Sequence, residues 1–136
     1  MQFYIASRLK NKKAVQCLSS KLKFAGWSHT YDWTLNIEEE KGSLDSDLLK
    51  SIGINELDGV KNADIVVILT PQGGGTHTEL GMAIALNKEI YICHDDDTYF
   101  KCDENTSPFY WIPQVNRFVG NVDDIAKMLI NQYRVK

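Results

Sequence analysis

The stretch Thr70–Gly81, TPQGGGTHTELG, joins an apolar run, ADIVVIL, to one of helical pattern, ELGMAIALNK. Three consecutive glycines, Gly73, Gly74 and Gly75, let backbone come close to a bound molecule, and an acid, Glu79, follows. That acid has two readings. Thr76 and Glu79 form T-x-x-E, the spacing of a capping box in which Glu79 reaches back to the amide of an N-cap Thr76. Alternatively, a carboxylate held by a helix N-terminus stays ionised at neutral pH. Such a group can act as a nucleophile on a sugar's anomeric carbon or as counter-charge to an oxocarbenium ion. Both chemistries need one fixed carboxylate pressed close to the sugar, and bare backbone makes room for it. Phosphate cradling alone is weakly supported. The loop has neither G-K-[ST] nor G-x-G-x-x-G, and Glu79 would compete with a phosphate for the same amides.

Other residues of chemical interest lie near predicted strand ends. Ser7, Arg8 and Lys10 follow the first strand directly, in a segment with no acid between Met1 and Tyr31. TYDWT places Asp32 and Trp33 after a second strand, where a ring could stack on a base and a carboxylate could bond its edge; a surface turn with Trp33 folded onto the core is the alternative. His77 points away from Glu79 by helical direction and reads as a solvent-side residue. CHDDD (93–97) invites a metal assignment, but adjacent aspartates usually repel and solvate, so no metal is expected; His94 or Asp95 could instead rim a cleft. SPFYW (107–111) is a possible aromatic lid.

Positioning these residues requires strands alternating with helices. FYIA (3–6), WSHTYDW (27–33), DIVVIL (64–69), EIYIC (89–93) and NRFVG (116–120) read as strands. Ala14 to Ala25 is a helix stopped by Gly26, and Leu44 to Val60 gives helical segments interrupted at Gly53. The helix after the glycines is apolar nearly all round, which predicts burial, and Val122 to Tyr133 is amphipathic. Glu38–Ser43 and His94–Pro108 read as polar loops. This alternation predicts an α/β, flavodoxin-like, doubly wound sheet of five parallel strands in the order 2-1-3-4-5. Ligands in such sheets bind beyond the carboxyl ends of the strands at the switch point, here between strands 1 and 3. The loops at Ser7–Lys10 and Gln72–Gly75 therefore face one cleft.

The totals narrow the class. A chain of 136 residues, 43% apolar and 24% charged, is a single ordinary domain. A net charge of −3 argues against a nucleic-acid polymer as partner. No apolar run is long enough to span a membrane, the first residues lack a signal pattern, and three cysteines without paired spacing read as reduced thiols, so a cytoplasmic location is expected.

The combination of FYIAS, TYDWT, GVKNADIVVIL and GGGTHTELGMAIALNKEIYI resembles the nucleoside 2-deoxyribosyltransferase family from about Phe3 to Ile92. The resemblance implies a flavodoxin-like fold that cleaves N-glycosidic bonds of nucleosides or nucleotides, some members transferring the sugar and others hydrolysing. It implies Glu79 as nucleophile and Tyr4 as the hydroxyl that orients it. In ELDGVKNAD, Glu56 takes the place of the family's second acid, usually an aspartate, and is one methylene longer; an exposed helix glutamate is the alternative. Many transferases carry an aspartate six residues before the nucleophile, where this chain has Gly73. That departure bears on transfer between bases more than on bond cleavage.

These readings converge on an enzyme without a cofactor, acting on a small nucleoside or nucleotide. Glu79, Tyr4 and Glu56 are its expected catalytic residues, with Ser7, Arg8, Asp32, Trp33, Gly73, Gly74, Gly75 and Thr76 binding substrate. Ser7 and Arg8 would hold the sugar's 5′ end, and Arg8 would favour a 5′-phosphate. Family resemblance further implies a homo-oligomer, its sites completed by a neighbouring subunit. A non-catalytic nucleotide-binding module and an NAD-glycohydrolase are the alternatives.

Overall fold

In the computed structural model, residues 1–36 and 45–134 are described. They form β1 (Gln2–Ala6), α1 (Lys12–Phe24), β2 (Ser28–His29), α2 (Ser46–Asn62), β3 (Ile65–Leu69), α3 (Gly74–Ala85), β4 (Glu89–His94), β5 (Val115–Val119) and α4 (Val122–Gln132). The five strands are all parallel, in the order β2-β1-β3-β4-β5. This is the predicted doubly wound α/β sheet, and its switch point lies between β1 and β3.

Burial follows from the composition of the strands. Phe3 to Ala6 of β1 and all of β3 are buried, as continuous apolar, β-branched runs must be when helices cover both sheet faces. α1 packs with α4, and α2 packs with α3. α1 ends where Gly26 takes a positive φ of 93°, a conformation that costs glycine little. At α4, Asn121 and Asp124 cap reciprocally, each side chain accepting from the other's amide.

Three local expectations are corrected. The second strand is only Ser28–His29, because Asp32 Oδ1 accepts from Thr34 N at 3.0 Å and the chain enters a 3-10 turn at Trp33–Asn36. α2 runs unbroken through Gly53; capped by Asp45, whose side chain accepts from Leu48 N at 2.8 Å, it absorbs one glycine. α3 is not buried all round: Thr76, Glu79, Leu80 and Ala83 face inward, whereas Gly81 and Ala85 are exposed. The expected loop at Glu38–Ser43, and Leu44, lie outside the described residues.

Next to β1, the His29 ring stacks on Phe3 with centroids 4.5 Å apart, and its Nδ1 lies 2.9 Å from Ser19 Oγ. Its Nε2 is buried without a hydrogen-bond partner among the described residues. Burial, with a smaller push from Lys23, lowers the imidazole pKa to about 4, against an opposing pull from Asp32. Between that value and the ordinary 6.5, the unfolded chain binds a proton that the folded chain refuses. Stability from this group is therefore intact above pH 6.5 and lost as pH falls toward 4, by at most about 1.4 kcal/mol per pH unit. Thermal midpoints measured across this range should fall more steeply for wild type than for His29→Gln; equal slopes would refute the assignment.

Candidate active site

Tyr4 lies in the middle of β1, pairs in register with Val66 of β3 and is fully buried. A phenol so placed needs a partner for its hydroxyl, because an unpaired buried polar group is costly. The partner is Glu79 of α3: Tyr4 Oη donates to Glu79 Oε2. The carboxylate side chain is itself only 7% exposed.

The Glu79 reading by capping box is corrected. α3 starts earlier than the spacing implies, with Gly73 as N-cap and Gly74 and Gly75 in the first turn. Thr76 therefore sits three residues into the helix, and its Oγ1 accepts from Gly73 N at 3.1 Å. Glu79 lies a full turn further on, out of reach of the terminal amides. The expected ionisation is corrected with it, since a helix N-terminus acts only over its first turn. Burial, reinforced by the nearby Glu56 charge, pushes Glu79 up to about 8, against the lowering effect of the Tyr4 hydrogen bond. The Tyr4 phenol is also held well above its ordinary range, by burial first and then by the Glu79 carboxylate.

Around this pair is a cleft of about 290 Å³ lined by Ser7, Arg8, Leu9, Trp33, Glu56, Gly73, Gly75, Thr76 and Glu79. The loops after β1 and β3 thus form its opposite edges. A Cβ at Gly75 would meet nothing within 4 Å, and one at Gly73 would meet only Arg8 Cβ at 3.4 Å, so the glycine backbone leaves space open. Glu56 faces the same cleft from α2 and acts electrostatically on both Tyr4 and Glu79. Arg8 opens the turn after β1 in extended conformation, and its Nε is buried with no hydrogen-bond partner among the described residues. That is a cation's donor held ready beside a carboxylate-lined cleft.

Two residues line the cleft with their hydrogen-bonding capacity partly spent. The Ser7 hydroxyl donates to Leu69 O at 2.7 Å and accepts from Asn11 Nδ2 at 2.7 Å, so its proton already has an acceptor. Trp33 is 8% exposed and donates from Nε1 to Ile5 O at 2.7 Å; it is a wall of the cleft more than a free stacking plate.

Other residues singled out in the sequence fall elsewhere. Asp32 holds the turn through Thr34 and is absent from the cleft lining, and Gly74 is exposed outside it. His77 is exposed on α3 and its Nε2 lies 2.9 Å from Tyr110 Oη. Tyr110 is buried, while Trp111 lies under the Arg117 guanidinium at 4.0 Å, so SPFYW packs away from the cleft and forms no lid over it. His94 and Asp95 line a separate cavity of about 140 Å³ with Asn11, Pro71 and Cys93. Asp96 is bonded to Thr98, and Asp97 lies 3.8 Å from Lys101. No group of three or more metal-ligating side chains gathers among the described residues.

Sequence reasoning missed Leu9 and Asn11. Asn11 occupies the N-cap position of α1 but makes no capping bond. Its amide instead reaches Ser7 Oγ and, at 3.0 Å, Pro71 O, tying the loop after β1 to the loop after β3. The available signal was its i+4 spacing from Ser7, which is indistinguishable from an ordinary cap.

Comparison with known proteins bears on this arrangement. A search of curated proteins gives no match. Among solved structures, a CMP N-glycosidase from Clostridium botulinum superposes with a TM-score of 0.62 at 19% identity, covering 95% of this chain and 98% of that one, which establishes a shared fold. The sequence profile described as nucleoside 2-deoxyribosyltransferase matches residues 3–128, spanning both loops of the cleft together with Tyr4, Glu56 and Glu79. By that match, on the doubly wound sheet described above, the chain belongs to the nucleoside 2-deoxyribosyltransferase family.

Proposed function

We propose that this protein cleaves the N-glycosidic bond of nucleoside 5′-monophosphates, with Glu79 as the nucleophile. The observation that carries the proposal is the buried Tyr4–Glu79 contact opening onto a cleft that also holds Glu56 and the unpaired Nε of Arg8. Glu79 attacks C1′ as the bond to the base breaks. The bonding electrons leave with the base nitrogen, and protonated Glu56 supplies the proton. Water then attacks C1′, releases Glu79 as a carboxylate and returns a proton to Glu56; a second base in place of water would give transfer. Position 73 carries no acid, which favours water. Tyr4 holds the carboxylate oxygen through its hydrogen bond, and no step calls for a cofactor. The Clostridium botulinum neighbour is named for CMP, so CMP is the first compound to test. The reading includes assembly as a homo-oligomer, measurable by sedimentation.

Glu79→Gln keeps size and can still accept from Tyr4 while losing the nucleophilic charge. Turnover of a nucleoside monophosphate, followed as free base by chromatography, should fall roughly a thousandfold or more. The thermal midpoint at neutral pH should change little, because burial already holds Glu79 largely uncharged there and glutamine keeps its size and its acceptor. Undiminished turnover would end this reading. Tight binding without turnover in the wild type would favour a nucleotide sensor, and release of nicotinamide from NAD an NAD-glycohydrolase.

The nucleophile is the deprotonated acid, and burial sets Glu79 at about 8 in the free enzyme. The kcat/KM profile should therefore rise along an acidic limb set by Glu79 and fall again where Glu56 loses the proton it donates, and a profile flat from pH 5 to 9 would contradict it.

Arg8 is the proposed 5′-phosphate ligand. Charge-assisted hydrogen bonds contribute about 1.5–3 kcal/mol, so Arg8→Ala should reduce the preference for monophosphate over nucleoside by roughly 10- to 100-fold. Wild-type kcat/KM equal for a nucleoside and its monophosphate would remove Arg8 from the site.

A further inference from the structure

α2 packs against β1 around Gly59, which is buried. A Cβ there would lie 2.8 Å from Tyr4 Cδ1, 2.9 Å from Tyr4 Cε1 and 3.0 Å from Tyr31 Cβ. These contacts are shorter than a Cβ tolerates, so a side chain here would force the fully buried Tyr4 ring to shift. Thr30 fastens the helix at the same residue, its Oγ1 donating to Gly59 O at 2.7 Å, while its amide donates to Phe3 O at 2.9 Å. One turn back along the same helix, Glu56 faces the cleft. By contrast, a Cβ at Gly53 in α2 would meet nothing within 4 Å.

We infer that Gly59 is a positioning residue: its missing side chain sets the seat of the Tyr4 ring and, through it, the placement of the phenol on Glu79. This rests on Glu79 being the nucleophile, as proposed above. A side chain at Gly59 shifts the Tyr4 ring and displaces its hydroxyl from the carboxylate. The groups facing that carboxylate are Tyr4 from β1, Glu56 from α2 and Arg8 from the turn after β1, with Tyr31 acting on Tyr4 from behind. Losing the Tyr4 hydrogen bond removes a lowering influence on Glu79, so its titration moves up in pH.

The test compares Gly59→Ala with Gly53→Ala, each alone and in a Tyr4→Phe background, using CMP as the first substrate. Gly59→Ala should lower kcat roughly 10- to 100-fold with KM little changed, the size expected for a misplaced catalytic group. It should move both the acidic limb of the pH profile and the 13C titration of the Glu79 carboxyl to higher pH. In Tyr4→Phe the same substitution should add little further loss, because the hydroxyl it displaces is already gone. Gly53→Ala should leave kcat and the pH profile as in wild type. Full additivity on Tyr4→Phe, or an unshifted Glu79 titration in folded Gly59→Ala, would overturn the inference. If Gly59→Ala does not fold, Thr30→Val loosens the same seat. A Glu79 titration shifted upward and non-additive with Tyr4→Phe supports the inference, and an unshifted one overturns it. Active Glu79→Gln sinks the proposed function, whereas inactive Glu79→Gln with Gly59→Ala behaving as Gly53→Ala sinks this inference alone.

Discussion

The contact between the Tyr4 phenol and the Glu79 carboxyl constrains most of what surrounds it. Both groups sit, largely shielded from solvent, in the layer where α3 covers the sheet. Each is tolerable there only because the other is present. The strand must keep the register that points Tyr4 toward α3, since a slip of one residue would send the phenol to the opposite face. α3 must start at Gly74 for Glu79 to arrive one and a half turns later on the inward face. The third party, α2, closes against Tyr4 at Gly59, where there is no side chain in the way. A hydrogen bond between two side chains 75 residues apart thus ties together the strand at the switch point and both helices on one face.

Charge in the cleft is arranged by depth. Burial and the neighbouring Glu56 raise the cost of ionising Glu79, while the guanidinium lies at the rim formed by the loop after β1. Such a gradient suits a ligand with an anionic end and a carbon that gains positive character during reaction. Burial holds the deep acid, Glu79, toward its neutral form. The rim cation keeps a donor without an acceptor among the described residues. Ser7 and Asn11 do a different job: they spend their hydrogen bonds stitching the two loops together, so the distance across the cleft is set by protein before any ligand enters.

Much of this was readable from the residues alone. Continuous apolar runs bounded by polar segments gave five strands, and their alternation with helical spacing gave the order of the sheet and the switch point. Topology alone brings the loops bearing Arg8 and the glycines to one cleft. Failures occurred where a local pattern admitted two hydrogen-bond schemes. T-x-x-E matched a capping box, yet the glycines ahead of Thr76 joined the helix and moved Glu79 inward. Asp32 could have met a base edge as easily as it now bonds Thr34. Ser7 could have offered its proton to a ligand, but Leu69 O takes it.

The sequence by itself determined the fold class, because hydrophobic periodicity is a property of neighbours in the chain and the connection rules for parallel sheets leave few arrangements. It also determined which carboxyl, hydroxyl and cation could be brought to the switch point. Only the tertiary structure decided the protonation of Glu79, the seat of Tyr4 against Gly59 and the donor left open on Arg8. Each of these depends on how much water and how many atoms surround a group. That environment is assembled from β1, α2, β3 and α3 together, and no stretch of the chain contains it.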